Sequence, residues 1–211
     1  EVKNIYEGHE VAAHTLTHPF LPNLDDAEVI RQVEEDRKNL SEIVGYEVVG
    51  LAYPNGGENY DQRVIQLLKE HTGIRYARTL ISTNSFDRQT ENLLEYRPTV
   101  YHNCGWDNLF RLAHEFVALK PDTPKVFYIW GHSYEFDPEH NNNLYKMEDF
   151  CKKNCRLDGV WYATNIEIYD YVQAYNSLIY SADETRIYNP TLKTIWLEVD
   201  GKPYVVKSGE T

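Results

Sequence analysis

Patterns of short apolar strands and amphipathic helices alternate along most of this 211-residue chain. This alternation constrains the fold more than any other feature, because strand and helix patterns that alternate are typical of a parallel sheet covered by helices. The sequence therefore predicts an α/β architecture. The predicted strands cover residues 9–13, 47–53, 75–78, 96–101, 126–130 and 160–163, and the predicted helices cover residues 25–44, 61–71, 107–119, 144–155 and 165–178.

The pattern changes after residue 180. Two β-rich runs, residues 194–199 and 202–207, are joined by Asp200-Gly201. An Asp-Gly pair between two such runs is a strong hairpin signal. We therefore predict a main domain over residues 1–181 and a small antiparallel β appendage over residues 182–211.

His14 and His18 follow the point where the first predicted strand ends. Pro19 disfavours a helical conformation at His18, so this segment is predicted to be a loop. Two imidazoles four residues apart on such a loop can turn towards one cation, and histidine is a common nitrogen ligand for zinc and related metals. The alternative is that both are surface histidines in a polar loop.

Three polar loops leave the carboxyl ends of predicted strands. They carry the His14/His18 pair, the turn at residues 53–57, and His132. In parallel barrels the carboxyl ends of the strands form the rim on which active sites are built. Three such loops on one rim favour a functional site over a chance arrangement.

The three loops together resemble the motifs of polysaccharide deacetylases of the NodB-homology type, placed in the fourth carbohydrate-esterase family. The run His14-Thr15-Leu16-Thr17-His18 resembles the family's metal motif, His-Ser/Thr-x-x-His. Ala52-Tyr53-Pro54-Asn55-Gly56 resembles its Arg-x-Pro-Tyr groove motif without the arginine. Ile129-Trp130-Gly131-His132 resembles the late Leu-x-His motif. The motifs occur in the family's order, and the resemblance covers residues 1–180.

The resemblance implies an irregular (β/α)7-type barrel that removes N- or O-acetyl groups from a polysaccharide or oligosaccharide. It implies a divalent metal, zinc in the first place and cobalt, nickel or manganese as alternatives, bound by His14 and His18. It makes His132 the catalytic histidine, acting as a general acid. Tyr53 and Pro54 would line the groove, and the backbone N–H of Asn55 would stabilise the oxyanion.

The chain departs from the family at its start. The family opens with a strand carrying Asp-Asp, which supplies the general base and a third metal ligand, and the Asp25-Asp26 pair here instead opens a helix after the histidines. We therefore expect an N-terminally truncated barrel with a weakly bound or absent metal and low activity. The alternative is an inactive deacetylase-like domain that only binds carbohydrate. A homo-oligomer through the open barrel edge at residues 9–13 is also expected.

Four further residues are candidates for the substrate groove because they lie in, end or follow predicted strands. They are Arg97, His102, Trp106 and Trp130. For Arg97 a structural ion pair is the competing interpretation. Glu135 and Asp137, which follow His132, either orient that histidine or face solvent.

The charge argues against two classes of partner, and the cysteine content argues against two kinds of cysteine site. The formal net charge is −12 and no run of lysine and arginine is present, which argues against nucleic acid and anionic membranes as partners. The 17 tyrosines and 4 tryptophans are compatible with a sugar polymer. The three cysteines contain no Cys-x-x-Cys pair, so neither a disulfide framework nor a thiolate zinc site is predicted.

Overall fold

A computed structural model describes residues 2–88, 91–121 and 123–211. The chain forms two compact units, Glu1–Tyr162 and Ala163–Thr211. The sequence predicts a domain boundary after residue 181, whereas the contacts divide the chain after Tyr162. A compact unit and a family domain are defined by different criteria, so the deacetylase-like domain over residues 1–181 stays a prediction.

The first unit contains helices and short strands in alternation. Its helices are α1 (Val2–Ile5), α2 (Asp26–Val44), α3 (Gln62–His71), α4 (Trp106–Ala118) and α5 (Leu144–Asn154), and its strands are β1 (Gly50–Ala52), β2 (Tyr76–Arg78), β3 (Val100–Tyr101) and β4 (Ile129–Trp130). Single 3-10 turns cover Leu21–Asn23, Leu93–Glu95 and Ser133–Phe136.

Both pairs of named strands in the described part of this unit are parallel, and one isolated bridge, between Asp87 and Lys125, is antiparallel. β1 pairs with β2, β3 pairs with β4, and isolated bridges join Ala13 to Leu51 and Arg78 to Tyr96. Neighbours in this array therefore follow chain order, as they do in a (β/α) barrel. The α/β prediction is confirmed, whereas the described residues do not form a closed barrel.

The predicted strand at residues 9–13 is reduced to the single bridge at Ala13. Neighbouring backbone N–H groups donate to side chains and not to another strand. The Val11 N–H donates to the Tyr46 hydroxyl at 3.0 Å, and the His14 N–H donates to the Asp36 carboxylate at 2.7 Å. Backbone groups satisfied in this way do not extend a ladder.

Helix ends agree with the residues that mark them in the sequence. Asp25 caps α2 by accepting from the Glu28 N–H at 2.8 Å, and Gly45 ends this helix in the left-handed conformation at φ 80°. Asp61 caps α3 by accepting from the Val64 N–H at 2.8 Å.

Among the described residues, two apolar clusters lie in the first unit. In the larger one, α2, α3 and β1 contribute fully buried side chains such as Val33, Leu68 and Leu51. In the smaller one, Val100 of β3 lies with Leu109 of α4 and other residues of α4 and α5. The helices therefore cover the parallel strands, as the alternating pattern predicts.

The second unit contains α6 (Asn165–Asn176), the short antiparallel pair β5 (Ile179–Tyr180) and β6 (Ile187–Tyr188), and the hairpin β7 (Ile195–Val199) with β8 (Lys202–Val206). Asp200 and Gly201 both have positive φ, 51° and 71°, which is the conformation of a type I′ turn. The predicted hairpin is confirmed.

The predicted strand at residues 160–163 is wrong, because these residues are not strand in the structure. The Tyr162 hydroxyl donates to the Asn154 carbonyl at 2.7 Å and accepts from the Leu157 N–H, so it folds back on the end of α5. A short apolar run without a neighbouring strand cannot form a ladder.

None of the helices described is long and apolar enough to cross a membrane.

Replacing Asp61 by alanine should lower the free energy of unfolding by about 1 kcal/mol, because the cap of α3 is lost. Asp61→Asn keeps an acceptor oxygen at the cap and should stay close to the parent protein. Urea unfolding followed by circular dichroism measures both. Equal losses in the two variants would contradict the capping role.

Candidate functional site

The site is built where successive parallel strands end. The Ala13 N–H donates to the Gly50 carbonyl at 2.8 Å and the Ala52 N–H donates to the Ala13 carbonyl at 2.9 Å, which fixes the first loop beside β1. Ala52 lies opposite Arg78 in the β1–β2 register. Because the carboxyl ends of parallel strands share one edge, the segments that follow these strands meet there.

His14 is held by both its backbone and its ring. Its ring Nδ1 lies 2.7 Å from the Ala52 carbonyl oxygen, which can only accept, so Nδ1 carries the proton and Nε2 has a free lone pair. Burial lowers the pKa of His14, the Ala52 contact opposes this, and the charges of His18 and Arg78 lower it further. A neutral imidazole with a free Nε2 is the form that binds metals.

The rings of His14 and His18 lie edge to face, with centroids 4.9 Å apart. The loop between them is strained, since Thr15 has φ 71° and His18 has φ 57°, and Asn55 on the facing loop has φ 62°. Left-handed backbone is costly for residues other than glycine and clusters at functional sites. This loop is therefore held in its shape by contacts elsewhere.

One of these contacts comes from Asn55. Its backbone N–H donates to His18 Nε2 at 3.3 Å, and its side-chain Nδ2 donates to the His18 carbonyl at 3.0 Å. The N–H that the resemblance assigns to the oxyanion thus points at the histidine pair. A ligand at this pair would lie within reach of the same N–H.

Asn59 joins the same two loops from beneath and is fully buried at 0% exposure. Its Oδ1 accepts from the Leu21 N–H at 2.7 Å, and its Nδ2 donates to the carbonyls of Pro54 and Pro19 at 2.6 and 3.0 Å. One carboxamide therefore satisfies three backbone groups on two loops.

His132 is paired with the carboxylate of Glu135. Its Nδ1 lies 3.1 Å from Glu135 Oε2, and its backbone N–H donates to the same oxygen at 3.2 Å. Nδ1 therefore carries the proton in the neutral ring, and Nε2 is left to exchange a proton with a ligand. Burial lowers the pKa of His132, and the charges of Arg78 and His18 lower it further, so these groups lie within electrostatic range of one another.

Glu135 is only 8% exposed, and its carboxylate is itself held in place. The Tyr101 hydroxyl donates to its Oε1, and His102 Nε2 lies 3.6 Å from its Oε2. Gly131 permits this packing, because a Cβ at that position would lie 1.5 Å from Nδ1 of His102. The Glu135 carboxylate can therefore fix the orientation of His132.

Contacts of Arg78 connect the part of the rim that holds His14 and His18 with the part that holds His132. Its guanidinium lies over the Trp130 ring, 4.9 Å from the centroid, and the Trp130 ring lies 5.5 Å from that of His132. Contacts thus run from Ala52, which holds His14, through Arg78 and Trp130 to His132.

The metal expectation is met only in part by the donor atoms present. His14 has the correct tautomer with a free Nε2, whereas Nε2 of His18 accepts from the Asn55 N–H. Within the described ranges, no group of three or more His, Cys, Asp or Glu side chains could hold a metal ion. Catalytic zinc sites use three protein ligands, so the described residues do not complete one.

Several predicted groove residues have other roles in the structure. Tyr53 is a core residue, 2% exposed, whose hydroxyl donates to the Leu94 carbonyl at 2.9 Å, and Pro54 is also buried. Arg97 forms an ion pair with Glu95, which is the competing interpretation of that residue. The Tyr53 ring is therefore not available to a ligand.

The remaining candidates differ in their positions. His102 is 3% exposed, packs against Phe136 and lies near the Glu135 carboxylate, so it supports the rim through Glu135. Trp106 packs against the smaller apolar cluster, away from the contacts that join the histidines. Trp130 lies on the rim, stacked on Tyr101 with ring centroids 4.6 Å apart.

Sequence reasoning missed Asn59, Arg78 and Asp36. Asn59 and Asp36 act on backbone groups 38 and 22 residues away, and no local pattern reports such contacts. Arg78 carried a usable signal, because it stands at the end of a predicted strand, where the other candidate residues of the rim also lie.

Imidazoles at the carboxyl edge of parallel strands, one of them backed by a buried carboxylate, form the type of site used by hydrolytic α/β enzymes. The family model described as polysaccharide deacetylase matches residues 1–77 of the chain. The resemblance to polysaccharide deacetylases is thus confirmed over the part that holds His14, His18 and Asn55. The loop with His132 lies outside the matched residues.

A solved structure is also similar to part of the chain. It is the Streptococcus pyogenes deacetylase PplD in complex with acetate, with 17% sequence identity over 53% of this chain and a TM-score of 0.39. The chain spans about half of that protein's length, since the match covers 48% of it. No curated protein sequence matches the chain.

Replacing Asn59 by alanine should lower the free energy of unfolding by about 2–4 kcal/mol, because three buried backbone groups lose their partner. It should also shift the ring proton resonances of His14 and His18, since the two loops are released from each other. Urea unfolding and NMR measure these effects. Asn103→Ala, at an exposed position, is the control, and a comparable loss in this control would contradict the role of Asn59.

Proposed function

We propose that this chain is a carbohydrate deacetylase that hydrolyses N- or O-acetyl groups of a polysaccharide or oligosaccharide. The observation that carries the proposal is the chain of contacts joining the His14/His18 pair to the His132–Glu135 pair on one rim. The family match over residues 1–77 supports acetylated carbohydrate as the substrate class.

His132 is proposed to transfer protons in this reaction. Its Nδ1 faces Glu135, so Nε2 is the atom that can take a proton from the attacking water and return it to the departing amine or alcohol. The lowered pKa of His132 favours the neutral ring at the start of the reaction. This extends the role expected from the sequence, where His132 acts only as an acid.

Asn55 is proposed to stabilise the negative charge that develops on the acetyl oxygen. Its backbone N–H points at the histidine pair, and its left-handed conformation at φ 62° fixes that direction. To serve the oxyanion this N–H would exchange its hydrogen bond to His18 Nε2 for one to the acetyl oxygen, with its direction already fixed by the backbone. Asn59 supports it through the Pro54 carbonyl.

A carbohydrate-binding domain without activity is the second candidate. The incomplete set of metal donors in the described ranges favours it, because metal-dependent hydrolysis needs a filled ligand set. Acetate release from acetylated xylan and from N-acetylated chitin oligomers, with zinc or cobalt added, separates the two candidates. Oligomer binding without any acetate release would support the binding domain and contradict the enzyme.

His132→Ala should lower kcat by about 10²-fold or more and leave KM nearly unchanged, because proton transfer acts in the transition state. Glu135→Gln should produce a smaller loss in kcat, since it keeps the size of the side chain but weakens the hold on Nδ1. Acetate release under saturating oligosaccharide measures both. His140→Ala, at an exposed position, is the control, and unchanged turnover in His132→Ala would remove this histidine from the mechanism.

We also propose that His14 and His18 bind a divalent metal, with zinc as the first expectation. Two imidazoles without a third ligand should bind weakly, so calorimetric titration with zinc is expected to give an affinity far below that of a complete site. His14→Ala and His18→Ala should each abolish the binding, whereas His71→Ala on the exposed surface of α3 should not. Zinc binding that survives both substitutions would contradict the assignment.

A further inference from the structure

Arg78 ends β2 at the centre of the rim, on the strand between β1 and the segment at residues 96–101. Its guanidinium lies over the Trp130 ring, although Trp130 belongs to β4, on the far side of that segment. Side chains from strands two positions apart approach each other on the concave side of a curved sheet. Arg78 and Trp130 therefore lie side by side in the mouth of the array.

The guanidinium of Arg78 has no carboxylate partner in the described part of the chain. Its hydrogen bond to the Thr79 carbonyl is long, at 3.4 Å, and none of the salt bridges between described residues includes it. Burial lowers the pKa of Arg78, which reflects the poor solvation of its charge. A partly buried charge without a counter-ion is unfavourable unless a ligand supplies one.

A second donor beside it also lacks an acceptor. The indole Nε1 of Trp130 is buried and has no hydrogen-bond partner among the residues described. Guanidinium and indole N–H groups only donate, so the pair presents donors alone. The nearby carboxylates have other partners, since Asp36 accepts from the His14 N–H and Glu135 from Tyr101 and His132.

The geometry of these donors favours a carboxylate over other anions. The planar edge of a guanidinium matches the two oxygens of a carboxylate, and no carboxylate of the described residues pairs with the guanidinium of Arg78. The formal net charge of −12 works against anions that carry more than one charge. A singly charged planar group therefore fits better than a sulfate or phosphate.

We propose that Arg78 is the anchor for a carboxylate group of the ligand at this rim. Two sources share this chemistry: the acetate released by the reaction, and a uronate-type carboxylate carried by an acidic glycan. The identification of these sources rests on the proposed function, whereas carboxylate binding itself does not depend on catalysis.

The test is an NMR titration of the ¹⁵N-labelled chain, read at the indole Nε1–H of Trp130, which Trp130→Phe assigns. The probes are sodium acetate, sodium glucuronate, glucose and sodium sulfate at constant ionic strength. We expect acetate and glucuronate to shift the Trp130 signal, and both to bind at least about tenfold more weakly to Arg78→Met. Arg111→Met, which removes an exposed arginine of α4, should bind like the parent chain.

The probes also identify the source of the carboxylate. Acetate binding as tightly as glucuronate supports the reaction product, and tighter glucuronate binding supports an acidic glycan. Glucose or sulfate binding as tightly as the carboxylates overturns the proposal, and so does unchanged carboxylate binding in Arg78→Met.

Two further measurements separate this proposal from folding defects and from the proposed function. Arg78→Met removes a charge without a counter-ion, so its midpoint of urea unfolding should equal or exceed that of the parent. Arg78→Lys keeps the charge but not the planar edge and should lose most of the carboxylate affinity, and full affinity in this variant would contradict the proposal. Arg78-dependent carboxylate binding without any acetate release would leave the anchor intact and contradict only the deacetylase function.

Discussion

The buried carboxamide of Asn59 is the interaction on which the shape of the rim depends. It accepts from the loop that carries His18 and donates to both that loop and the loop that carries Asn55. An amide offers an acceptor and a donor on one short side chain, so it can bridge two backbones that each lack a partner. The left-handed residues His18 and Asn55 depend on this bridge, because their own conformations are unfavourable.

The sequence predicted those parts of the fold and site that local patterns encode. Caps at Asp25 and Asp61 and the turn at Asp200-Gly201 depend on residues a few positions apart, and the structure agrees with each. The strand at residues 9–13 was predicted too long, because the Tyr46 hydroxyl takes the Val11 N–H within it and only Ala13 forms a bridge. Periodicity reports which face is apolar, and it does not report which backbone groups receive side-chain partners.

The same distinction applies to the residues of the site: local patterns predicted some of them, and those with distant partners were missed. The histidine loops were found because each follows the end of a predicted strand, and Glu135 was open to two interpretations because it follows His132 by three residues. The 3-10 turn Ser133–Phe136 brings Glu135 onto the ring of His132, whereas Asp137 comes after that turn. Asn59 could not be predicted, since its partners are 5, 38 and 40 residues away.

Two neighbours of His132 control different properties of its ring. Glu135 contacts Nδ1 and the backbone N–H, and these contacts determine which nitrogen carries the proton. Arg78 lies over the Trp130 ring and acts through space, since its positive charge lowers the pKa of His132. A carboxylate bound at Arg78 would offset that charge and raise the pKa of His132 without changing the tautomer. In the proposed mechanism, the charge of a bound ligand and proton transfer by His132 would therefore be coupled through the Arg78 guanidinium.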